Sequence, residues 1–335
     1  MTSWKDVLKA DPTPWLLEPD NPSVRYLTLL NILNQKHTDH EVKAAKAAIM
    51  ESGVIPRILA KQREGGWGDE GRFYRDKYRG TVWQLIILAE HEADGRDPRV
   101  RAACESILQH SQDPDSYAFA YDERAGGLGG RHSEVIPCLT GNMIWSLAKL
   151  GYRKERRVVE GIKWIARYQR FDDGKGQPPK EWPYERFEMC WGKHTCHMGV
   201  VKALKALSAV PRNERSREAD KAIAAGSEYI LAHHVFKQSH DLSKTSKPGW
   251  RRLQFPLMYQ TDVLEIVNIL GDLGVRDNRM QEAIDLVASK QGKNGKWVLE
   301  NTFNGRYQVN IEAKDRPSKW ITYKSLKALK DYYGG

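Results

Sequence analysis

The chain has 335 residues, 40% hydrophobic and 29% charged, with four cysteines and a formal net charge of +10. That length and apolar content support a large buried core and exclude a disordered chain. So few cysteines do not make a disulfide framework, and the start from Met1 to Lys5 lacks an apolar signal core, so a cytoplasmic protein is expected.

From the N-terminus onward, apolar runs with three- and four-residue spacing alternate with charged, amphipathic ones. Apolar 24–33 is followed by amphipathic 40–50, and the alternation repeats as 80–90 with 98–110, 138–150 with 156–169, 196–210 with 215–233 and 260–273 with 278–290. The chain closes on the apolar run 320–332. A helix that is apolar all round belongs inside, and an amphipathic one covers it. Six inner and about six outer helices joined head to tail therefore predict an all-α fold, a closed α/α toroid forming one domain over 1–335. No run reaches the length of a membrane span; the longest contender, around Trp83 to Ala89, is interrupted by Glu90 and His91. Basic residues such as Arg153, Lys154, Arg156 and Arg157 are scattered over the outer helices, and no nucleic-acid motif accompanies them, so a solvated face is expected and no nucleic-acid partner.

Loops between outer and inner helices carry glycine and aromatic residues. Gln62-Arg63-Glu64-Gly65-Gly66-Trp67-Gly68 is the cleanest copy; Gly126-Gly127-Leu128-Gly129-Gly130 and Gln291-Gly292-Lys293-Asn294-Gly295-Lys296-Trp297 follow. These loops resemble the Q-x-x-G-G-W/F-G repeats of the terpenoid cyclase and protein prenyltransferase superfamily, over nearly the whole chain. The glycines permit a tight turn, and the aromatic fills the gap between adjacent outer helices.

Two tetrapeptides, Cys138-Leu139-Thr140-Gly141 and Cys196-His197-Met198-Gly199, open apolar runs 58 residues apart. Aligning inner helices on the first glycine sets Lys77-Tyr78-Arg79-Gly80 beside them, and spacing adds Ser318 and Tyr259 to the same ring. Helix N-termini collected at such a mouth favour anions and lower thiol pKa values. The segment from Cys190 through His194 to Cys196-His197 could bring three cysteines and two histidines to one spot, which suggests a zinc-thiolate site. Cys104, on an outer helix with Ala102 and Ala103, reads as packing, and His233-His234 as a capping or surface feature. The Cys138 and His194-Thr195-Cys196 pattern is similar to that of protein prenyltransferase β subunits, although Ile136 stands where those carry an aspartate. It also resembles lanthionine cyclases, with one cysteine at an inner-helix start and a Cys-His pair at the next. Both resemblances imply zinc holding a thiolate substrate as nucleophile.

Asp113-Pro114-Asp115-Ser116 lacks the full Asp-x-Asp-Asp acid, and Asp172-Asp173-Gly174 is a poor magnesium motif, so neither terpene chemistry is expected. The reading is a zinc-dependent transferase. Cys138, Cys196 and one of His194 or His197, with Cys190 as a further ligand, hold the metal, and Trp83, Trp145, Tyr259 and Trp320 line a central pocket. Arg75, Arg79, Arg131 and His132 face an anionic small-molecule substrate, unless the arginines turn outward to acids such as Asp76 and Glu123. Glu134, Asp262 and His132 are the candidates for proton transfer. The alternatives are a zinc hydrolase or lyase whose bound water attacks, and a metal-free toroid that binds an isoprenoid or a peptide.

Overall fold

The computed structural model describes residues 3–69 and 72–334; Met1, Thr2, Glu70, Gly71 and Gly335, including the expected domain limits and the first two residues of the N-terminal reading, lie outside the described residues. Helices dominate, and among the described residues the named sheet is one hairpin, Lys237–Gln238 with Asp241–Thr245. None of these helices is long and apolar enough to cross a membrane. The chain divides into two compact units: Met1–Ala60 with Ile230–Leu257 and Thr261–Gly335, and Lys61–Tyr229 with Met258–Gln260.

In the second unit, helices Thr81–Glu90, Pro137–Leu147 and His197–Ser208 form the inner layer; every side chain of Thr81–Glu90 is buried. Pro98–His110 and Arg156–Tyr168 each bury one face, Arg156–Tyr168 through Val158, Trp164 and Ile165. An apolar stripe one side wide needs only one partner layer, which is why these helices lie outside. Pro137–Leu147 and His197–Ser208 approach most closely at Gly141, where a Cβ would run into the Lys202 carbonyl oxygen and lie 2.9 Å from the Lys202 side chain.

In the first unit, Pro22–Asn31, Val263–Asp272 and Lys319–Tyr333 are the apolar helices, and His40–Glu51 and Gln281–Ser289 cover them. The two ends of the chain meet here: Asn31 donates to the Tyr323 hydroxyl at 2.6 Å, and Lys330 Nζ donates to the Asn31 carbonyl at 2.7 Å. Each unit thus has the all-α, inner-and-outer layering expected of an α/α toroid.

A recurring hydrogen-bond device joins loops to inner helices. Thr81 Oγ1 accepts the Trp67 N–H at 3.0 Å, Thr140 Oγ1 that of Phe119 at 2.9 Å, and Thr322 Oγ1 that of Trp297 at 3.0 Å. A glutamine opens each loop and donates to the carbonyl of a neighbouring segment: Gln62 to Arg99 at 2.8 Å, Gln112 to Arg157 at 2.9 Å and Gln291 to Ala10 at 3.0 Å. The second copy of the loop repeat is therefore 112–119, not 126–130. Gly126 and Gly127, at φ 99° and 81°, instead make an exposed turn with Leu128 in solvent. The threonines also shift the expected register: with Thr81, Thr140 and Thr322 taken as equivalent sequence positions, Cys138 corresponds to Trp320 and not to Ser318. Ser318 caps its helix, its hydroxyl accepting the Ile321 N–H at 2.9 Å.

Candidate functional site

The thiols of Cys138, Cys190 and Cys196 come from three elements of the second unit. Cys138 lies in the first turn of Pro137–Leu147, Cys190 in the short helix Glu188–Trp191, and Cys196 is the N-cap of His197–Ser208; all three are free and half-buried. Burial, and then the neighbouring Cys196, push the Cys138 thiol up to about 12, while Lys202 pulls it down. Burial, Cys138 and Cys196 likewise push the Cys190 thiol up. The three groups thus act on one another: an anion on one raises the cost of an anion on the next.

The loop bearing Cys190 is held by Arg170, which the sequence did not single out. Its Nη1 donates to the Trp191 and Gly192 carbonyls at 3.0 and 2.8 Å, and its Nη2 to Asp172 at 2.7 Å. Thr195 donates to the same aspartate at 3.2 Å, so Asp172 is a structural acceptor and not part of an acidic metal motif. His197 packs edge-on against Tyr229 at 5.3 Å, whereas His194 is exposed beside Gly174.

An aromatic cluster reaches the thiols through Tyr74, which is influenced by Cys138 and Cys190. Tyr74, whose phenol is pushed up first by burial and then by Cys138, lies 4.9 Å from Trp83 and 5.9 Å from Tyr121. Trp83 donates to the Tyr74 carbonyl at 3.0 Å and packs against Tyr78 and Tyr259 at 5.1 and 6.3 Å. Gln260, donating to the Tyr78 hydroxyl at 2.9 Å, and Asn142, donating to the Met258 carbonyl at 2.9 Å, hold the Tyr259 segment in place. Lys77 Nζ sits 5.0 Å over Tyr74 and 4.6 Å over Tyr259, a cation held on ring faces. Lys77 belongs to the segment the register set beside Cys138, whereas Tyr74, Tyr121 and Phe187, which packs on Tyr121 at 5.8 Å, were not expected from the sequence; only the aromatic-rich run 73–78 carried a signal.

The other expected residues have the following surroundings. Arg75 pairs with Asp122 at 2.9 Å and Arg131 approaches the same carboxylate at 3.6 Å, so the acid they neutralise is Asp122, while Arg79 is exposed. Trp145 lies under the Lys205 ammonium, 4.0 Å from its ring centre. Trp320 is fully buried in the first unit, stacked on Phe255 at 4.3 Å, which makes it a core side chain there. Asp262, also in the first unit and expected to move protons, spends its carboxylate on two backbone N–H groups, Glu265 and Gln254, each at 2.8 Å. Glu134 remains half-buried with Ser133 donating to it at 3.1 Å, and it raises the Tyr121 phenol to about 12, after burial, by accepting its hydrogen bond.

Among the described residues, one group of three potential ligand atoms lies within 4.8 Å of one another, and it is Asp113, Asp115 and His132, not the cysteine set. His132 Nδ1 is 2.7 Å from the fully buried Asp113, and its ring stacks on Trp182 at 4.0 Å. Arg124 bonds both Asp113 and Asp115, so their charge already has a counterion.

No protein-family model matches the chain, and no curated protein matches it. Solved structures similar to it include an unsaturated glucuronyl hydrolase specific for heparin, at 12% identity and TM-score 0.48, over 97% of this chain and 87% of that one. A type II terpene cyclase from Scytonema is similar at 16% identity and TM-score 0.41, over 93% and 86% of the two chains. Salmonella alpha-2-macroglobulin reacted with methylamine matches at 13% identity and TM-score 0.34, over 95% of this chain but 18% of that one. Identities this low and TM-scores below 0.5 specify no chemistry.

Proposed function

We propose that the chain is a zinc-dependent enzyme, a single α/α toroid domain of the cytoplasm, that activates a thiol or water nucleophile on a small anionic or isoprenoid-like substrate. The observation that carries this reading is the grouping of three free thiols from separate elements beside an aromatic cluster. Thiolate and imidazole donors of this kind suit zinc, and the mutual penalty on their ionisation is what a bound cation would offset. Cys138, Cys196 and Cys190 would hold the ion, with His197 or His194 as the fourth donor. Their present spacing is looser than a closed site, so binding requires these half-buried side chains to turn inward. Bound zinc supplies a Lewis acid that lowers the pKa of a coordinated thiol or water. Glu134, hydrogen-bonded to Tyr121, takes the released proton, and His132, oriented by Asp113, is the second acid-base group. The Tyr74, Trp83 and Tyr259 faces exclude water and receive the apolar part of the substrate, and Lys77 with Arg79 attracts its anionic part.

The loose thiol spacing beside so many aromatic rings favours a second reading, a metal-free toroid that binds an isoprenoid or a peptide. Metal analysis of full-length protein purified anaerobically separates the two. Near-stoichiometric zinc, lost in Cys138→Ser/Cys196→Ser with the helical circular dichroism unchanged, is the expected result. Zinc absent from the wild type, or retained in the double variant, sinks the zinc reading.

A further inference from the structure

A cavity of about 680 Å³ lies wholly within the first unit, among the hairpin, the one-turn helix Pro248–Arg251 and the end of Gln281–Ser289. Its charged lining is Lys244, Arg251, Arg252, Lys290 and a single carboxylate, Glu300. That carboxylate is fully engaged: Oε1 takes Lys290 Nζ at 2.5 Å and Oε2 the Leu253 N–H at 2.7 Å. Lys244 is paired with Asp241 at 2.9 Å. Two guanidiniums, Arg251 and Arg252, remain with no side-chain acceptor among the described residues, and both are exposed toward solvent.

We infer that this cavity is a binding site for a phosphate-bearing small molecule. The backbone that carries the two arginines is anchored: Trp250 beside them is buried, the Arg252 N–H donates to the Gly249 carbonyl at 3.1 Å, and the next residue is tied to Glu300. Guanidinium forks match phosphate oxygens in pairs, and two uncompensated positive charges balance the charge of about −1.5 to −2 that a phosphate monoester carries at neutral pH. A carboxylate would leave one of those charges unmatched. The Gln238 amide and Thr245 hydroxyl, which also line the wall, add neutral donors, and Leu286 with Pro248 offers an apolar side for the rest of the molecule. An open recess of about 680 Å³ has room for a small ligand, and the oligonucleotide arm of the test below covers a polyanion. The site does not depend on the thiol centre of the second unit.

The test is calorimetric titration of the full chain with inorganic pyrophosphate and with inorganic phosphate, followed by mass-spectrometric mapping of lysine acetylation with and without pyrophosphate. Saturable binding that weakens roughly tenfold or more in Arg251→Gln/Arg252→Gln, partial recovery in Arg251→Lys/Arg252→Lys, and protection of Lys244 and Lys290 are expected. Both arginines are exposed, so folding should survive, and unchanged circular dichroism verifies it. No saturable binding at millimolar pyrophosphate, binding untouched by the double substitution, or binding of a short oligonucleotide without any of pyrophosphate would each overturn the assignment.

Discussion

Lys205 and Glu90 form a buried ion pair in the interior of the second unit. Nζ and Oε1 are 2.7 Å apart, with side chains 5% and 8% exposed, and the ammonium also rests 4.0 Å from the Trp145 ring centre. At that separation the Coulomb attraction is about 6 kcal/mol for an effective dielectric constant of ~20. Desolvating each ion costs several kcal/mol, so the intact pair contributes little net stability. Removing one partner is different, because the other stays buried without its 2.7 Å counterion. Lys205→Met should therefore destabilise by about 3–5 kcal/mol. Glu90→Leu should cost about 1–2 kcal/mol less than that, since Trp145 still receives the ammonium by a cation–π contact. The double variant Glu90→Leu/Lys205→Met should return to within about 1–2 kcal/mol of the wild type, because a buried ion pair replaced by apolar side chains of similar volume is often neutral. Urea denaturation of the four proteins, followed by far-ultraviolet circular dichroism, closes the double-mutant cycle. Single effects that simply add, each below about 1 kcal/mol, would refute the argument by placing the pair in an environment with no electrostatic penalty.

The loop device makes its own demand: Thr140→Val removes the acceptor of the buried Phe119 N–H and should cost about 1–3 kcal/mol, whereas Thr140→Ser should retain most of the stability. Equal denaturation midpoints for the two variants would count against the bond as a structural element. Asp262 controls a pH dependence. Burial pushes its carboxyl up to about 7 against the pull of two N–H groups, so between about pH 4 and 7 the native state holds a proton that the unfolded state has released. Its contribution should then fall as pH rises through that window, by up to about 4 kcal/mol, and level off above it. Asp262→Asn should flatten that slope in stability curves taken across the range, and a slope of unchanged size in the variant would place its origin elsewhere.

What could be read from the residues follows from how each feature is encoded. Layering is encoded locally, since the periodicity of Thr81–Glu90 or Arg156–Tyr168 states which faces must be covered, and both helices appear as expected. The loop repeat was harder because its invariant is a hydrogen bond and not a spacing. From glutamine to aromatic the copies run 62 to 67, 112 to 119 and 291 to 297, and the middle one replaces its glycines with Asp113-Pro114-Asp115. The glycine-rich run 126–130 therefore mimics a copy of the repeat, although its glycines serve an exposed turn. The same reasoning explains the site. Cysteines at helix starts announce themselves by register, but whether their sulfurs meet depends on the 170–196 loop. That loop is set by Arg170 reaching backbone carbonyls and Asp172, acceptors that no side-chain pattern encodes. Arg75 and Arg131 make the point in reverse. Sequence neighbours suggested Asp76 and Glu123 as their acids, yet a bridge between the strand-like segments 119–123 and 130–135 brings Asp122 within reach of Arg131, and the loop of Arg75 meets it from the other side. Two guanidiniums thus share one carboxylate, a pairing that spacing along the chain does not reveal.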